Sequence, residues 1–570
     1  MKTGAWCSID AGCRLWLLLQ AWMLLYMGIV VAGGSWSACD PNLFASFYLS
    51  FSAVAFGLLW CMCGRPVKKS SVSLTGCAVG LVLLLCYLYL WDFRPEIMRE
   101  VCTFVLVFVA GMTVAAKPLL RRGLCTALAG WAVLMTCLGL LQQCGLFTGA
   151  GETFPVKGVF DNPAGLGMFL ALLFPYMLER GRASRVRRWM AVFVGIVLVL
   201  SGSRTGILAA AVSAYVYFYP SLSRRWRIVL PVAGIVLFVG LYFCKPVSAN
   251  GRMFVAYITS RLAVAHLLTG SGPFGFEAGY MQAQATYFAA HPASPWLYVA
   301  DDIKQPFNEY LHFLVRFGLV GLCWFLLALC VVYRRAVRAF DADKRPALAS
   351  IVAVSVCACF SYPFYYPLVC LLVVLDLAVL CSGHQQAGGH SCRTIWLVGF
   401  LMLCLSALSV FQLSWERARL DLERRAGQGE QTESLRRAYE ELSGLSYFRI
   451  HPAFLYNHAL HLYECGHYAA CLSALERCRP YKCDYDWQML RAYALLHVDE
   501  REAEASFRSA SRMLPSRLQP RYELVRLYDR MGKRDDALRC AREAMDIPVK
   551  VGTLRTEYMR RWLMEYAEMN

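Results

Sequence analysis

Long apolar blocks separated by short basic stretches fill the first three quarters of this chain. A charged amphipathic pattern takes over in the last quarter. The blocks run to about 15–25 residues, the length a helix needs to cross the hydrocarbon core of a bilayer. Inside that core only a helix satisfies its own backbone, so each block is predicted as a spanning helix. The pattern predicts spans near 15–33, 43–62, 73–91, 99–116, 123–146, 160–178, 188–202, 204–220 and 227–244. After a gap come 308–333, 347–382 and 394–413. The block 347–382 is too long for one crossing. It is broken by Tyr362-Pro363-Phe364-Tyr365-Tyr366-Pro367, so it reads as a helical hairpin or a sharp kink. The count is twelve or thirteen spans.

Basic residues between the blocks orient them. Arg65, Lys68 and Lys69 mark one loop, Lys117, Arg121 and Arg122 the next, and Arg180, Arg182, Arg185, Arg187 and Arg188 a third. Arg224, Arg225 and Arg227 mark a fourth, and Arg334, Arg335, Arg338, Lys344 and Arg345 a fifth. The stretches 33–42, 147–159 and 245–307 are poor in basic residues. The positive-inside rule puts the N-terminus in the cytoplasm and the 245–307 loop outside. A hairpin at 347–382 would put the tail outside as well. Lys2 and Arg14 followed by the apolar run Leu15–Val31 have the shape of a signal peptide. Further spans follow at once, so an uncleaved first span is expected.

The tail from about 430 carries a repeat. Ala503 and Ala537 are 34 residues apart, as are Ala510 and Ala544, and Ala469 precedes Ala503 by the same step. Pro480, Pro515 and Pro548 recur at nearly that period, and Gly466 and Gly532 stand at turns. Small residues every 34 with a proline closing each unit are the tetratricopeptide pattern, which stacks helix pairs into a concave surface. The predicted fold is all-α: a polytopic transmembrane helix bundle followed by a soluble α-helical repeat domain. The expected domains are N-terminal spans 1–150, a membrane core 151–414 containing the 245–307 loop, and repeats 430–570.

Composition narrows the function. The 570 residues are 58% hydrophobic and 17% charged with net charge +18. That charge sits in the short loops, where orientation explains it, so no nucleic-acid partner is expected. Most of the 25 cysteines lie in apolar blocks, where Cys acts as a small hydrophobe. Cys61-Met-Cys63 and Cys357-Ala-Cys359 lack a partner pair at zinc spacing.

Three places at the outer face can carry chemistry. Arg204, in Ser201-Gly202-Ser203-Arg204-Thr205-Gly206, is the only charge between Trp189 and Pro220. A charge at such depth is costly, although an arginine at a helix end can also snorkel. Asn250-Gly251-Arg252, with Arg261 nine residues on, begins the long loop; a guanidinium fork suits phosphate. Pro306-Phe307-Asn308-Glu309-Tyr310-Leu311-His312 ends it. There Asn308 and His312 would share a helix face and Glu309 would lie about 100° away, placed to orient an acceptor or take a proton. Asn308 also suits a helix cap. Asn162-Pro163 opens a span in the ordinary way. The glycines of Gly270-Ser-Gly272-Pro-Phe-Gly275 suit tight turns better than a phosphate cradle. His291, Asp301, Asp302 and Lys304 lack metal-ligand spacing.

Phe160-Asp-Asn162-Pro163, Ser203-Arg204-Thr205-Gly206, Gly251-Arg252, the glycine-rich segment and Asn308-Glu309-Tyr310-Leu311 with Phe317-Gly318-Leu319-Val320-Gly321 come in an order that resembles the O-antigen ligase and polymerase superfamily. The resemblance is strongest over 155–385. It implies a multi-pass protein of the bacterial inner membrane with the large loop and the repeats periplasmic. It implies a glycan moved from a polyprenyl-diphosphate carrier to a lipid A core, a growing glycan or a protein hydroxyl. The alternatives within the family are O-antigen polymerase and protein O-oligosaccharyltransferase. A transporter is disfavoured because the charges gather at one face rather than the midplane, and a non-catalytic scaffold that recruits partners through the repeats is the remaining, less favoured alternative. By resemblance Arg204 and Arg252 would be catalytic, stabilising the departing diphosphate without a cofactor or metal. Glu309 and His312 would serve acid–base chemistry, and Asn308, Arg261 and Asn162 substrate binding. Many members carry His before the loop-end Asn. Phe307 stands there, leaving Glu309, His312 and His291 as substitutes. Membrane lipid and a protein partner docked on the repeats complete the expected contacts.

Overall fold

The computed structural model describes residues 10–32, 40–63, 94–147, 155–178, 185–244, 246–338, 342–382, 392–430, 433–547, 550 and 552–569. The predicted span 73–91, Lys2, Arg65, Lys68, Lys69, Arg180, Arg182 and Pro548 lie outside them. The described residues are helical with no strand. In chain order the helices are α1 (Ala11–Val31), α2 (Pro41–Cys63), α3 (Pro95–Ala116), α4 (Pro118–Gln143), α5 (Pro163–Met177), α6 (Arg185–Leu200), α7 (Arg204–Phe218) and α8 (Arg224–Cys244). Then come α9 (Pro246–Ala265), α10 (Gly275–Ala290), α11 (Glu309–Arg338), α12 (Arg345–Phe360), α13 (Pro367–Cys381) and α14 (Cys392–Gly427). The tail holds α15 (Glu433–Ser443), α16 (Ser446–Arg449), α17 (Pro452–Glu464), α18 (Tyr468–Cys478), α19 (Tyr485–Leu495), α20 (Glu500–Met513), α21 (Gln519–Arg530), α22 (Arg534–Met545) and α23 (Leu554–Met569).

Helix starts follow local chemistry. Asp10 caps α1, its Oδ1 accepting from the Cys13 amide at 2.8 Å. Helices α3, α4, α5 and α13 begin at proline, whose fixed φ suits the first turn. The stretch 347–382 is a hairpin: α12 and α13 flank a short turn at Pro363–Tyr365, because Pro363 and Pro367 deny the backbone donors a continuous helix requires. The span expected at 394–413 does not stop there, since α14 runs on to Gly427. The 245–307 segment, expected as a loop, carries α9 and α10.

The chain is a multi-pass membrane protein. Six helices among the described residues are long and apolar enough to cross: Ala11–Val31, Pro41–Leu58, Pro95–Ala116, Pro118–Gln143, Glu309–Arg334 and Val398–Gly427. Pro163–Met177, Arg188–Leu200 and Pro367–Cys381 are shorter apolar helices. The chain folds into two compact units that do not follow linear order. One comprises residues 1–244 and 324–413, the other 245–323 and 414–570.

In the first unit α5 is buried on nearly every side, with Leu166, Met168, Phe169, Leu170 and Ala171 all sealed from solvent. A helix apolar all round belongs at the centre of a bundle. Helix α8 instead exposes Ile228, Val232, Ile235, Val236 and Phe243, an apolar surface that lipid would cover.

In the second unit α10 packs on the tail. The Gln284 side chain donates to the Met513 carbonyl at 2.6 Å, and Lys550 pairs with Asp301 at 2.7 Å. Antiparallel helix pairs α17/α18, α19/α20 and α21/α22 form the tail core. Buried small residues recur at the fourth and eleventh positions of the second helix in each pair: Cys471 and Cys478, Ala503 and Ala510, Ala537 and Ala544. The expected equivalence of Ala469 with Ala503 is corrected. Ala469 is exposed and Cys471 takes the interior place, because α18 lies 32 rather than 34 residues before α20. Gly466 and Gly532 adopt φ of +79° and +70° at the turns before α18 and α22.

Candidate functional site

The expected site residues fall in both units. In the first, Ser201-Gly202-Ser203 turns the chain from α6 into α7, with Gly202 at φ +65°. Ser203 caps α7, its Oγ accepting from the Gly206 amide at 3.3 Å. Helices α5 and α7 touch backbone to backbone just beyond. A Cβ on Gly206 would lie 2.7 Å from the Gly167 carbonyl carbon, and one on Gly167 would lie 2.3 Å from the Ser203 Cβ. This contact fixes the start of α7 and so the half-buried Arg204 on its first residue. A cation there opposes the helix dipole, whereas an anion would be welcomed by the terminal amides and the guanidinium together.

Asn162 caps the neighbouring α5, its Oδ1 accepting from the Ala164 amide at 2.8 Å. Its Nδ2 donates to the hydroxyls of Tyr366 at 2.7 Å and Tyr362 at 3.3 Å. The Tyr366 hydroxyl also bonds Asp161. The hairpin turn thus supplies a tyrosine cluster to the start of α5. In the sequence these tyrosines register only as a break in the apolar block; the available signal is an aromatic run on a turn predicted outside.

In the second unit Arg252 lies mid-helix on α9, half-buried, with its guanidinium carbon 5.1 Å from the Phe307 ring centroid. Phe307 holds φ +52°, a conformation uncommon for a residue with a side chain. The residue standing where a histidine was expected therefore supplies a cation–π platform to one of the two arginines. Asn308 is a helix cap, its Oδ1 accepting from the Leu311 amide at 2.9 Å. The His312 amide bonds the Asn308 carbonyl at 3.0 Å, and Glu309 also meets His312, Oε2 to Nδ1 at 3.4 Å, both side chains buried, since positions three apart adjoin on a helix as well. The His312 Nε2 is buried and has no hydrogen-bond partner among the described residues.

Arg261 does not join Arg252. Nine residues along α9 is roughly two and a half turns, which puts it on the opposite face; it is exposed and donates to the Tyr257 hydroxyl at 3.3 Å. His291 stacks on Tyr287 at the exposed end of α10. The glycine-rich segment binds the chain to itself. Gly270 and Gly318 take φ of +77° and +63°, and Cβ atoms on them would lie 2.4 Å from the Arg316 carbonyl oxygen and 2.2 Å from the Leu268 carbonyl oxygen. Gly318 breaks α11 there, and the Ser271 and Leu319 amides bond the Val315 and Leu267 carbonyls at 2.7 and 2.8 Å. Arg316 pairs with Glu277 at 2.6 Å beside this junction.

The one metal-capable group among the described residues is Asp302, Asp484 and Asp486, whose carboxylates lie within 4.8 Å of one another. It includes only one of the loop residues considered from sequence, and Lys482 already pairs with Asp484 at 3.3 Å. Burial and then the two neighbouring carboxylates push the Asp302 pKa up to about 6.

Comparison with known proteins bears on the same stretch. Residues 189–326 match the family model described as O-antigen ligase, and the match includes Arg204, Arg252, Arg261, Asn308, Glu309 and His312. The chain is 26% identical over 191 residues to the teichuronic acid biosynthesis protein TuaE of Bacillus subtilis (strain 168), covering 30% of this chain and 38% of that protein. It thus spans under two fifths of that relative's length. These two findings support the O-antigen ligase superfamily for this chain. Two crystal structures of MamA align at 16% identity, with TM-scores of 0.22 and 0.21, over 26% and 25% of this chain and 86% and 89% of theirs. Likeness at that level carries no argument.

Proposed function

We propose that this protein is a membrane glycosyltransferase of the O-antigen ligase type, moving a glycan from a polyprenyl-diphosphate carrier to a hydroxyl acceptor on the periplasmic face of the bacterial inner membrane. The observation that carries the reading is the positioning of two arginines inside the O-antigen-ligase-like stretch. Arg204 stands on a capped helix start and Arg252 against the Phe307 ring. In this reading each guanidinium group is, within its own unit, a candidate ligand for donor phosphate. As the bond from the sugar's anomeric carbon to phosphate breaks, negative charge grows on the leaving oxygen, and fixed cations stabilise it. The acceptor oxygen forms the new bond to that carbon and loses its proton to His312 Nε2. Glu309 on Nδ1 orients the ring and steadies the imidazolium. Asn162, with its two tyrosine partners, is assigned to the donor glycan, and Asn308 to holding the start of α11.

The tail pairs are read as tetratricopeptide-like repeats, and the 245–307 segment shares a compact unit with them. Four passes from residue 309 to 413, including the α12–α13 hairpin, would keep segment and repeats on one side of the membrane.

Glycan analysis of a deletion strain tests the proposal. Lipid-linked glycan should accumulate. Wild-type protein should restore transfer, and Arg204→Lys or Arg252→Lys at equal protein level should not. A polymerase would instead leave single repeat units on the surface. A protein-directed enzyme would leave lipopolysaccharide intact and periplasmic proteins bare. Unchanged glycans throughout would sink the reading.

A further inference from the structure

The second unit contains a cavity of about 360 Å³, walled by the end of α10 with the turn after it and by α20, α21 and α22. Four arginines line it: Arg508, Arg512, Arg521 and Arg539. Two carboxylates, Asp536 and Glu543, share the lining, so four positive charges against two leave a surplus of two.

The partners of these arginines differ. Arg539 is paired with Asp536, and Arg508 with Glu504 at 2.8 Å. Arg521 is sunk among the repeat helices, and its side chain donates from Nη1 to the Pro515 carbonyl at 3.0 Å. Arg512 is exposed at the cavity wall and makes no ion pair among the described residues. Burial lowers the Arg521 pKa, and nearby groups including the Glu543 carboxylate only partly offset it, although no ion pair joins the two. Such a group is costly to keep unless an anion meets it. Phe288, Leu297 and Tyr528 add apolar and aromatic surface to the lining.

We propose that this cavity binds a negatively charged sugar unit, with Arg521 and Arg512 gripping its carboxylate or phosphate and Tyr528 and Phe288 facing the ring. The volume lies at the lower end of small-molecule sites, which suits a compact anion better than a peptide strand or helix. Guanidinium forks match planar carboxylate and phosphate oxygens. The α10 side of the cavity lies within the O-antigen-ligase-like stretch. That the sugar belongs to the transferred or receiving glycan rests on the function proposed above; that the cavity takes an anionic sugar does not.

The test uses purified full-length protein in detergent and measures binding by calorimetry of a galacturonate trimer, glucose 6-phosphate, a neutral galactose trimer and an acidic hexapeptide. Saturable binding of the galacturonate or of the sugar phosphate, weakened about tenfold or more by Arg512→Ala and by Arg521→Gln and unchanged by substitution of an exposed arginine outside the cavity, Arg437→Ala, supports the site. Whichever of the two binds identifies the anion. Equal binding of the neutral trimer, binding of the peptide alone, or wild-type affinity in both variants overturns it. Arg512 is exposed, so its variant remains informative if Arg521→Gln fails to fold. Absence of saturable binding of either anion by wild-type protein that still transfers glycan would overturn this site and leave the transferase reading standing.

Discussion

The two arginines assigned to the donor are held by opposite means in the two compact units. Arg204 is fixed by backbone: α5 and α7 meet at Gly167 and Gly206 with no room for a methyl group. Arg252 is fixed by a side chain, the ring of Phe307, itself held in a left-handed backbone conformation. A backbone contact is rigid and intolerant of substitution. A ring contact is adjustable and contributes on the order of 1 kcal/mol. The same guanidinium chemistry can therefore tolerate change in one unit where it cannot in the other.

The largest effect is expected at the helix crossing. Gly206→Leu should cost about 3 kcal/mol or more, because backbone rather than a flexible side chain blocks the new atoms. Yield and thermal midpoint in detergent would read this. Gly195→Leu, with open space around it, should behave as wild type. Next, Arg204→Lys and Arg252→Lys should each lower transfer by about 100-fold or more with little change in folding. Equal activity of either variant would remove that residue from the mechanism. His312→Gln should lower transfer about 100-fold and flatten the acid limb of the pH profile; a loss with the profile unchanged would make His312 structural.

Smaller effects sharpen the comparison. Phe307→Leu should reduce transfer about threefold to tenfold, whereas Phe307→Trp should retain it. In an Arg252→Lys background the Leu substitution should add little, since the partner is already altered. The smallest effect concerns stability. The Asp302 pKa is raised to about 6 in the folded protein, so the folded state binds this proton more tightly than the unfolded chain does. Its contribution to stability is therefore lost as pH rises from about 4 to 6 and stays lost above 6, by no more than about 3 kcal/mol. Asp302→Asn should raise the thermal midpoint at pH 7, with the gain shrinking toward pH 4. A gain independent of pH would refute the burial argument.

Much of the candidate site was legible in the sequence because its signals were local. An Asn-Pro at a helix start and an Asn before a helix each carry their meaning within a few residues, and Asn162 and Asn308 cap the helices that reasoning placed there. Arg261 misled because nine residues looked close along the chain while the helix turned it to the far face. Phe307 misled for another reason. Read against an expected histidine it was a loss, and only its φ and its distance to Arg252 reveal a gain.

By itself the sequence determined the all-α class, the membrane-spanning character, the break at Tyr362–Pro367 and the periodic tail. Each follows from hydropathy, proline chemistry or spacing, which act over one or two turns of chain. Tertiary structure alone decided which distant groups meet. It brought Asn162 to Tyr366, seated Arg252 on Phe307, joined Glu309 to His312 and merged the 245–323 segment with the tail. It also replaced Ala469 by Cys471 in the repeat. Those outcomes depend on side-chain volume and helix crossing in three dimensions, where residues 200 positions apart compete for the same space and no local pattern records the result.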